Sequence, residues 1–260
     1  MTYNVLVLNP VCGHTCGSLE ALWYIEPYYR QIKEYLEKKG IRVHYLYHRD
    51  AVRSKVWDTI SRNRVVYQVL VGHGSADKFT GYFLNLIYWV DMTKRGFKFE
   101  WVKDTVMLVL SCITGAELGP WMVKHGVWSY LGWRRVFAFW VRIGRRKGSD
   151  WRETPEILWH KPIEVAFSKC ASGEFTPKQA FEYIAKKYRE AIENPEVPER
   201  FKATLRHDLA SMVLIGKTEH PPITKPVPIT LTASVVPLAI GLALTKLENI
   251  ISWFKKVLKI

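Results

Sequence analysis

Nearly continuous apolar runs recur along the first half of the chain, at Tyr3–Asn9, Val43–His48, Val65–Val71, Thr105–Leu110 and Val127–Leu131, with Val136–Val141 as a continuation of the last. Val, Leu and Ile with almost no polar alternation predict strands covered on both faces, as in a parallel sheet. Between the first two runs, Leu19–Lys39 has helical periodicity and stops at Gly40, a residue suited to a left-handed C-terminal cap. Shorter helical stretches fit Val52–Arg62, Phe83–Lys94 and Glu117–His125. This alternation predicts an α/β fold, a three-layer sandwich with a mostly parallel central sheet.

After Gly148 the pattern changes. Thr176–Asn194 reads as a helix with Thr176 as N-cap and Pro177 at its first position. Arg200–Asp208 follows as a short helix and Leu209–Ile215 as a last strand. Four prolines then crowd into His220–Pro228. The expected organisation is one catalytic-sized domain over 1–217, a linker over 218–228 and a helical tail over 229–260. Between Lys225 and Lys246 lie 20 uncharged residues, a length that as helix reaches roughly 30 Å, the thickness of a bilayer core. Three prolines and three threonines within it oppose a regular span. Beyond it, Leu247, Ile250, Ile251, Phe254, Val257 and Leu258 form an apolar stripe opposed by Lys246, Lys255, Lys256 and Lys259. Such a face suits a membrane surface, or docking on the main domain. The expectation is membrane association through 229–260, on an otherwise cytoplasmic protein.

Composition narrows the class. With 48% apolar residues and 11 Trp in 260 residues the chain can bury a large core. Four Cys make no disulfide framework. The N-terminus reads directly as a strand and has no signal-peptide pattern. The formal net charge is +14, and seven basic residues between Arg134 and Arg152 face a single acid, Asp150. This cluster is either a solvated loop or a patch for nucleic acid, anionic lipid or an acidic substrate. Zinc-finger, RNP and helix-turn-helix patterns are all missing, so nucleic acid is not the favoured partner.

Two strand ends carry chemistry. The third strand runs through Val71-Gly72 into His73-Gly74-Ser75, and the fourth through Val109-Leu110 into Ser111-Cys112. Active sites of open α/β sheets collect outside the carboxyl ends of the strands. The 39 residues separating His73 from Cys112 leave room for one crossover, so both side chains are expected to flank one cleft. An imidazole beside a thiol can take its proton. Gly74 lets a backbone amide approach a substrate carbonyl, and with the Cys112 amide it can form an oxyanion hole. The helix starting near Glu117 is expected to turn its positive end towards the thiolate. Asp77, Glu117 and Asp208 are candidates to orient His73, and spacing does not choose among them. Cys12, His14 and Cys16 follow the first strand, but a structural zinc site needs a second ligand pair, so neither metal nor cofactor is expected. Cys12, Gly13, His14 and Ser111 are read as a substrate-pocket wall. Cys170 reads as structural.

An apolar strand ending in His-Gly, then one ending in a small residue followed by Cys, resembles the caspase-like clan CD cysteine peptidases. The stretch Val109-Leu110-Ser111-Cys112-Ile113-Thr114-Gly115 is most similar to the gingipain-like and CHAT branch. Gly126–Gly132 resembles the following strand of the family, Phe175–Ala180 a later helix start, and Asp208–Gly216 the closing strand. The resemblance spans roughly Tyr3 to Lys217. It implies Cys112 as nucleophile, His73 as general acid/base, the Gly74 and Cys112 amides as oxyanion donors, and a protein or peptide substrate cut after a chosen P1 residue. The basic cluster fits an acidic P1. A catalytically silent adaptor at a membrane and a transamidase of the same clan are the alternatives.

Overall fold

A computed structural model describes residues 3–10, 20–138 and 157–222. Six strands form the main sheet in the order β2-β1-β3-β7-β8-β9. They are β1 (Asn4–Asn9), β2 (Arg42–Tyr47), β3 (Val65–Val71), β7 (Val106–Leu110), β8 (Ser129–Trp133) and β9 (Met212–Gly216). The first five are parallel, and β9 pairs antiparallel with β8. All seven residues of β3 are buried, as its uninterrupted apolar run requires.

Successive side chains of a strand point to opposite faces, and the core divides accordingly. Val5 and Val7 of β1 join a cluster with Ile25, Tyr29, Ile32 and Leu36 of α1 (Glu20–Lys38), together with residues of α4 (Ile157–Ala171), α5 (Pro177–Glu193) and α6 (Glu199–Ser211). Leu6 and Leu8 join the opposite cluster, with Val56 and Ile60 of α2 (Arg53–Arg62) and Leu118 and Met122 of α3 (Leu118–Lys124). The fold is thus a three-layer α/β sandwich with a mostly parallel central sheet. Among the described residues no helix is long and apolar enough to cross a membrane. The tail 229–260 lies outside the described residues.

Two helix ends follow their local chemistry. Gly40, just past α1, has φ +73°, a conformation that favours glycine. At α5, Thr176 accepts from the Gln179 amide and the Gln179 side chain accepts from the Thr176 amide, a complete capping box with Pro177 next in line. Thr176→Ala should cost about 1 kcal/mol, read as a lower urea midpoint at unchanged slope; an unchanged midpoint would dismiss the cap as a stabilising element.

Two expectations need correction. Phe83–Lys94 is no helix: Leu86–Trp89 forms β6, which pairs antiparallel with β5 (Lys78–Thr80), itself paired with β4 (His73–Ser75). The spacing of Phe83, Ile87 and Val90 imitates a helix. The Ile-Tyr-Trp run is instead suited to a pleated surface, and Tyr88 donates from its hydroxyl to buried Gln68 Oε1 at 2.6 Å. The final strand begins at Met212, because α6 extends to Ser211. α4 was not anticipated. Its buried residues include Trp159, His160, Ile163, Glu164, Phe167 and Cys170, so no polar face marks it as a helix.

Candidate active site

β3 and β7 pair in parallel with Val71 opposite Leu110. The pairing runs one residue further, where Gly72 donates its amide to the Leu110 carbonyl at 3.2 Å. His73 and Ser111-Cys112 follow at once, at the same edge of two neighbouring strands, whose spacing in a sheet is about 4.8 Å. The segments are also packed tightly. A β-carbon on Gly74 would lie 2.4 Å from Ser111 Oγ, 2.4 Å from Thr114 Cγ2 and 2.8 Å from the Cys112 carbonyl oxygen. The backbone after the histidine therefore rests directly on the cysteine loop.

The two groups hang from different sheets. His73 is the first residue of β4, in the three-stranded sheet, and its carbonyl accepts from Thr80 Oγ1 at 3.2 Å. Cys112 extends the main sheet. Its loop is sewn to the stretch after β8, with the Ile113 amide donating to the Arg135 carbonyl at 3.0 Å and the Gly115 amide to the Trp133 carbonyl at 2.9 Å. Between them the Thr114 amide donates to the Cys112 carbonyl at 2.7 Å, closing a γ-turn on Ile113 at φ +63°. Positive φ on a β-branched residue is strained, and sequence carries no signal for it.

Both groups are half-buried and close to neutral in character. Burial lowers the basicity of His73, and its Nε2 has no hydrogen-bond partner among the described residues. Cys112 is a free thiol whose Sγ donates to the Phe137 carbonyl at the long distance of 4.0 Å. Burial pushes its pKa up, the Phe137 backbone works against that, and the Asp208 carboxyl adds to the rise. Both shifts favour the neutral forms, thiol and imidazole.

The other candidates separate. Asp77 accepts from Ser75 Oγ at 2.6 Å, Glu117 is exposed, and Asp208 accepts from the Ala138 amide at 3.0 Å; none accepts from His73 among the described residues. α3 begins at Leu118, whose amide donates to the Ala76 carbonyl at 2.8 Å, while the Gly119 amide donates to the Thr114 carbonyl of the cysteine loop at 2.9 Å. Ser111 is buried, with its hydroxyl unpartnered among the described residues. Cys12, Gly13, His14 and Cys16 lie outside the described residues, as does the basic cluster from Arg142 to Arg152, while Arg134 and Arg135 are exposed beside the cysteine loop. Cys170 is buried and its thiol is pushed up by burial. Among the described residues no group of three or more His, Cys, Asp or Glu is arranged to hold a metal.

No family model and no curated protein matches the chain. Among solved structures it is similar to the complex of Porphyromonas gingivalis RgpB pro- and mature domains, at 10% identity over 84% of this chain and 48% of that one, with a TM-score of 0.49. It is similar also to the Arg-specific cysteine proteinase gingipain R, at 11% identity over 84% and 47%, with a TM-score of 0.47. The chain spans just under half the length of each. Neither is a CHAT domain.

Proposed function

We propose that the protein is a cysteine peptidase of the gingipain-like branch of clan CD, hydrolysing peptide bonds through Cys112 and His73. The observation that carries this reading is the parallel β3–β7 register with Gly74 seated on the Ser111–Cys112 backbone. In this reading His73 takes the thiol proton as Sγ attacks the scissile carbonyl. A thioester forms, His73 protonates the leaving amine, and water then releases the acid by the reverse sequence. The Gly74 and Cys112 amides bind the oxyanion. Consistent with that role, the Cys112 amide makes no backbone hydrogen bond among the described residues. Ser111 borders the substrate cleft, and the substrate is a protein or peptide. The tail 229–260 associates with a membrane.

The neutral resting pair favours one rival, a silent adaptor that keeps the fold without turnover. Labelling by a peptide acyloxymethyl ketone separates the two. The peptidase is modified at Cys112 in stoichiometric amount, whereas absence of label under conditions that alkylate a denatured control supports the adaptor. Transfer to an added amine in preference to water would identify a transamidase.

The pH dependence follows from burial of the base. Because His73 is held below the ordinary imidazole value of about 6.5, it stays neutral and competent further into acid. The acid limb of kcat/KM should therefore fall below that value. A limb at or above it would remove His73 from the role of base in the free enzyme.

A further inference from the structure

Asp208 is the least explained charged residue of the molecule. It lies fully buried near the end of α6. One carboxyl oxygen accepts from the Ala138 amide at 3.0 Å, and the other is buried with no partner among the described residues. Burial pushes its pKa up to about 8, with only the Ala138 hydrogen bond opposing. The residue before Ala138 is Phe137, whose backbone lies against Cys112 Sγ. One carboxyl thus grips the short stretch of chain that is the polar neighbour of the sulfur.

We propose that Asp208 is a positioning residue for the Cys112 thiol: it pins the Phe137–Ala138 backbone beside the sulfur, and its own charge, when it forms, resists formation of the thiolate. This rests on Cys112 being the nucleophile for its importance, though not for its chemistry. The groups facing the carboxyl are few. Cys112 approaches from the loop after β7 and Tyr188 from α5, and both are disfavoured as anions by it. His207, the neighbour on α6, turns to the Val136 carbonyl at 2.9 Å. Arg134 and Arg135, on the stretch between β8 and Ala138, are exposed. No ion pair among the described residues neutralises Asp208.

The sign of the effect is fixed. Below about pH 8 the carboxyl is neutral, and the thiol loses its proton against burial with the Phe137 backbone easing the loss. Above it a buried negative charge develops nearby, and like charges disfavour each other's ionisation. Two such groups titrate as a coupled pair, and the thiol curve is stretched over two steps. The carboxyl is then a brake on the sulfur in alkali, built from a helix remote in sequence.

The test uses the full chain and iodoacetamide, which needs no peptidase activity. Alkylation of Cys112, mapped by mass spectrometry, is followed from pH 6 to 10 in the wild type and in Asp208→Asn. Asn keeps an acceptor for the Ala138 amide and loses the charge. The variant should alkylate roughly threefold faster near pH 9, with its profile reduced to one step, as expected for removal of a nearby like charge. Superimposable profiles from two folded proteins would overturn the proposal. If the variant does not fold, the wild type decides alone. The Cys112 β-carbon resonance, assigned by its loss in Cys112→Ala, should titrate in two steps, and a single step would be decisive against the coupling. Iodoacetamide reacting where the peptide electrophile does not would strike the peptidase reading and leave this one intact.

Discussion

Replacing Cys112 by Ala should abolish peptide cleavage, by roughly four to six orders of magnitude, and His73→Ala should do nearly the same. The two losses should not add. When nucleophile and base act as one unit, removing either disables the covalent route, and the double variant retains only what substrate binding and the oxyanion donors supply. The structure makes the comparison clean. Cys112 is half-buried, and among the described residues its thiol makes only the long contact with the Phe137 carbonyl. His73 Nε2 has no partner among the described residues. Neither substitution opens a large cavity or strands a strong hydrogen bond, so circular dichroism and urea midpoints should stay near those of the wild type. Additive losses, or turnover surviving in the double variant, would mean that the chemistry lies elsewhere.

Gly74→Ala should also be damaging, by a smaller factor and for a different reason. The new methyl group would meet Ser111 Oγ and Thr114 Cγ2 at 2.4 Å and the Cys112 carbonyl oxygen at 2.8 Å. A side chain can rotate, but the carbonyl is backbone, held by the Thr114 amide in the γ-turn. Overpacking of this kind costs about 1–3 kcal/mol of stability. Displacing the nucleophile by even 1 Å costs on the order of a hundredfold in rate. We expect a lower melting temperature together with a fall in kcat larger than any rise in KM. A variant with wild-type kcat and only reduced stability would show that the His73–Gly74 backbone does not set the geometry of the sulfur.

What was legible in the sequence is what short-range chemistry determines. β3 is buried on both faces, so its bounds could be taken from its apolar run alone, and Thr176-Pro177 with Gln179 announces a helix start through its own side chains. The placement of His73 and Cys112 at neighbouring strand ends was legible because each stands just beyond such a run, one residue intervening, where the polarity changes abruptly. The β4–β6 hairpin was not, since its partner strands are very short and the period of Phe83, Ile87 and Val90 belongs equally to a helix. α4 gave no alternation because it is buried nearly all round. Asp208 and Ala138 stand 70 residues apart, and the strain at Ile113 arises only once the loop is sewn to Trp133 and Arg135. Neither can be inferred from neighbours in sequence, because both are products of tertiary closure.

The attachment of His73 to the small ribbon and of Cys112 to the large sheet has an energetic corollary. A three-stranded hairpin opens at lower free energy than a sheet buried on both sides. His73 and Cys112 therefore belong to elements of different local stability. A ligand spanning both would act as a clasp, raising the opening cost of the weaker unit by its own binding free energy. Peptide occupancy would be reported by slowed amide exchange in Lys78–Thr80 and Leu86–Trp89.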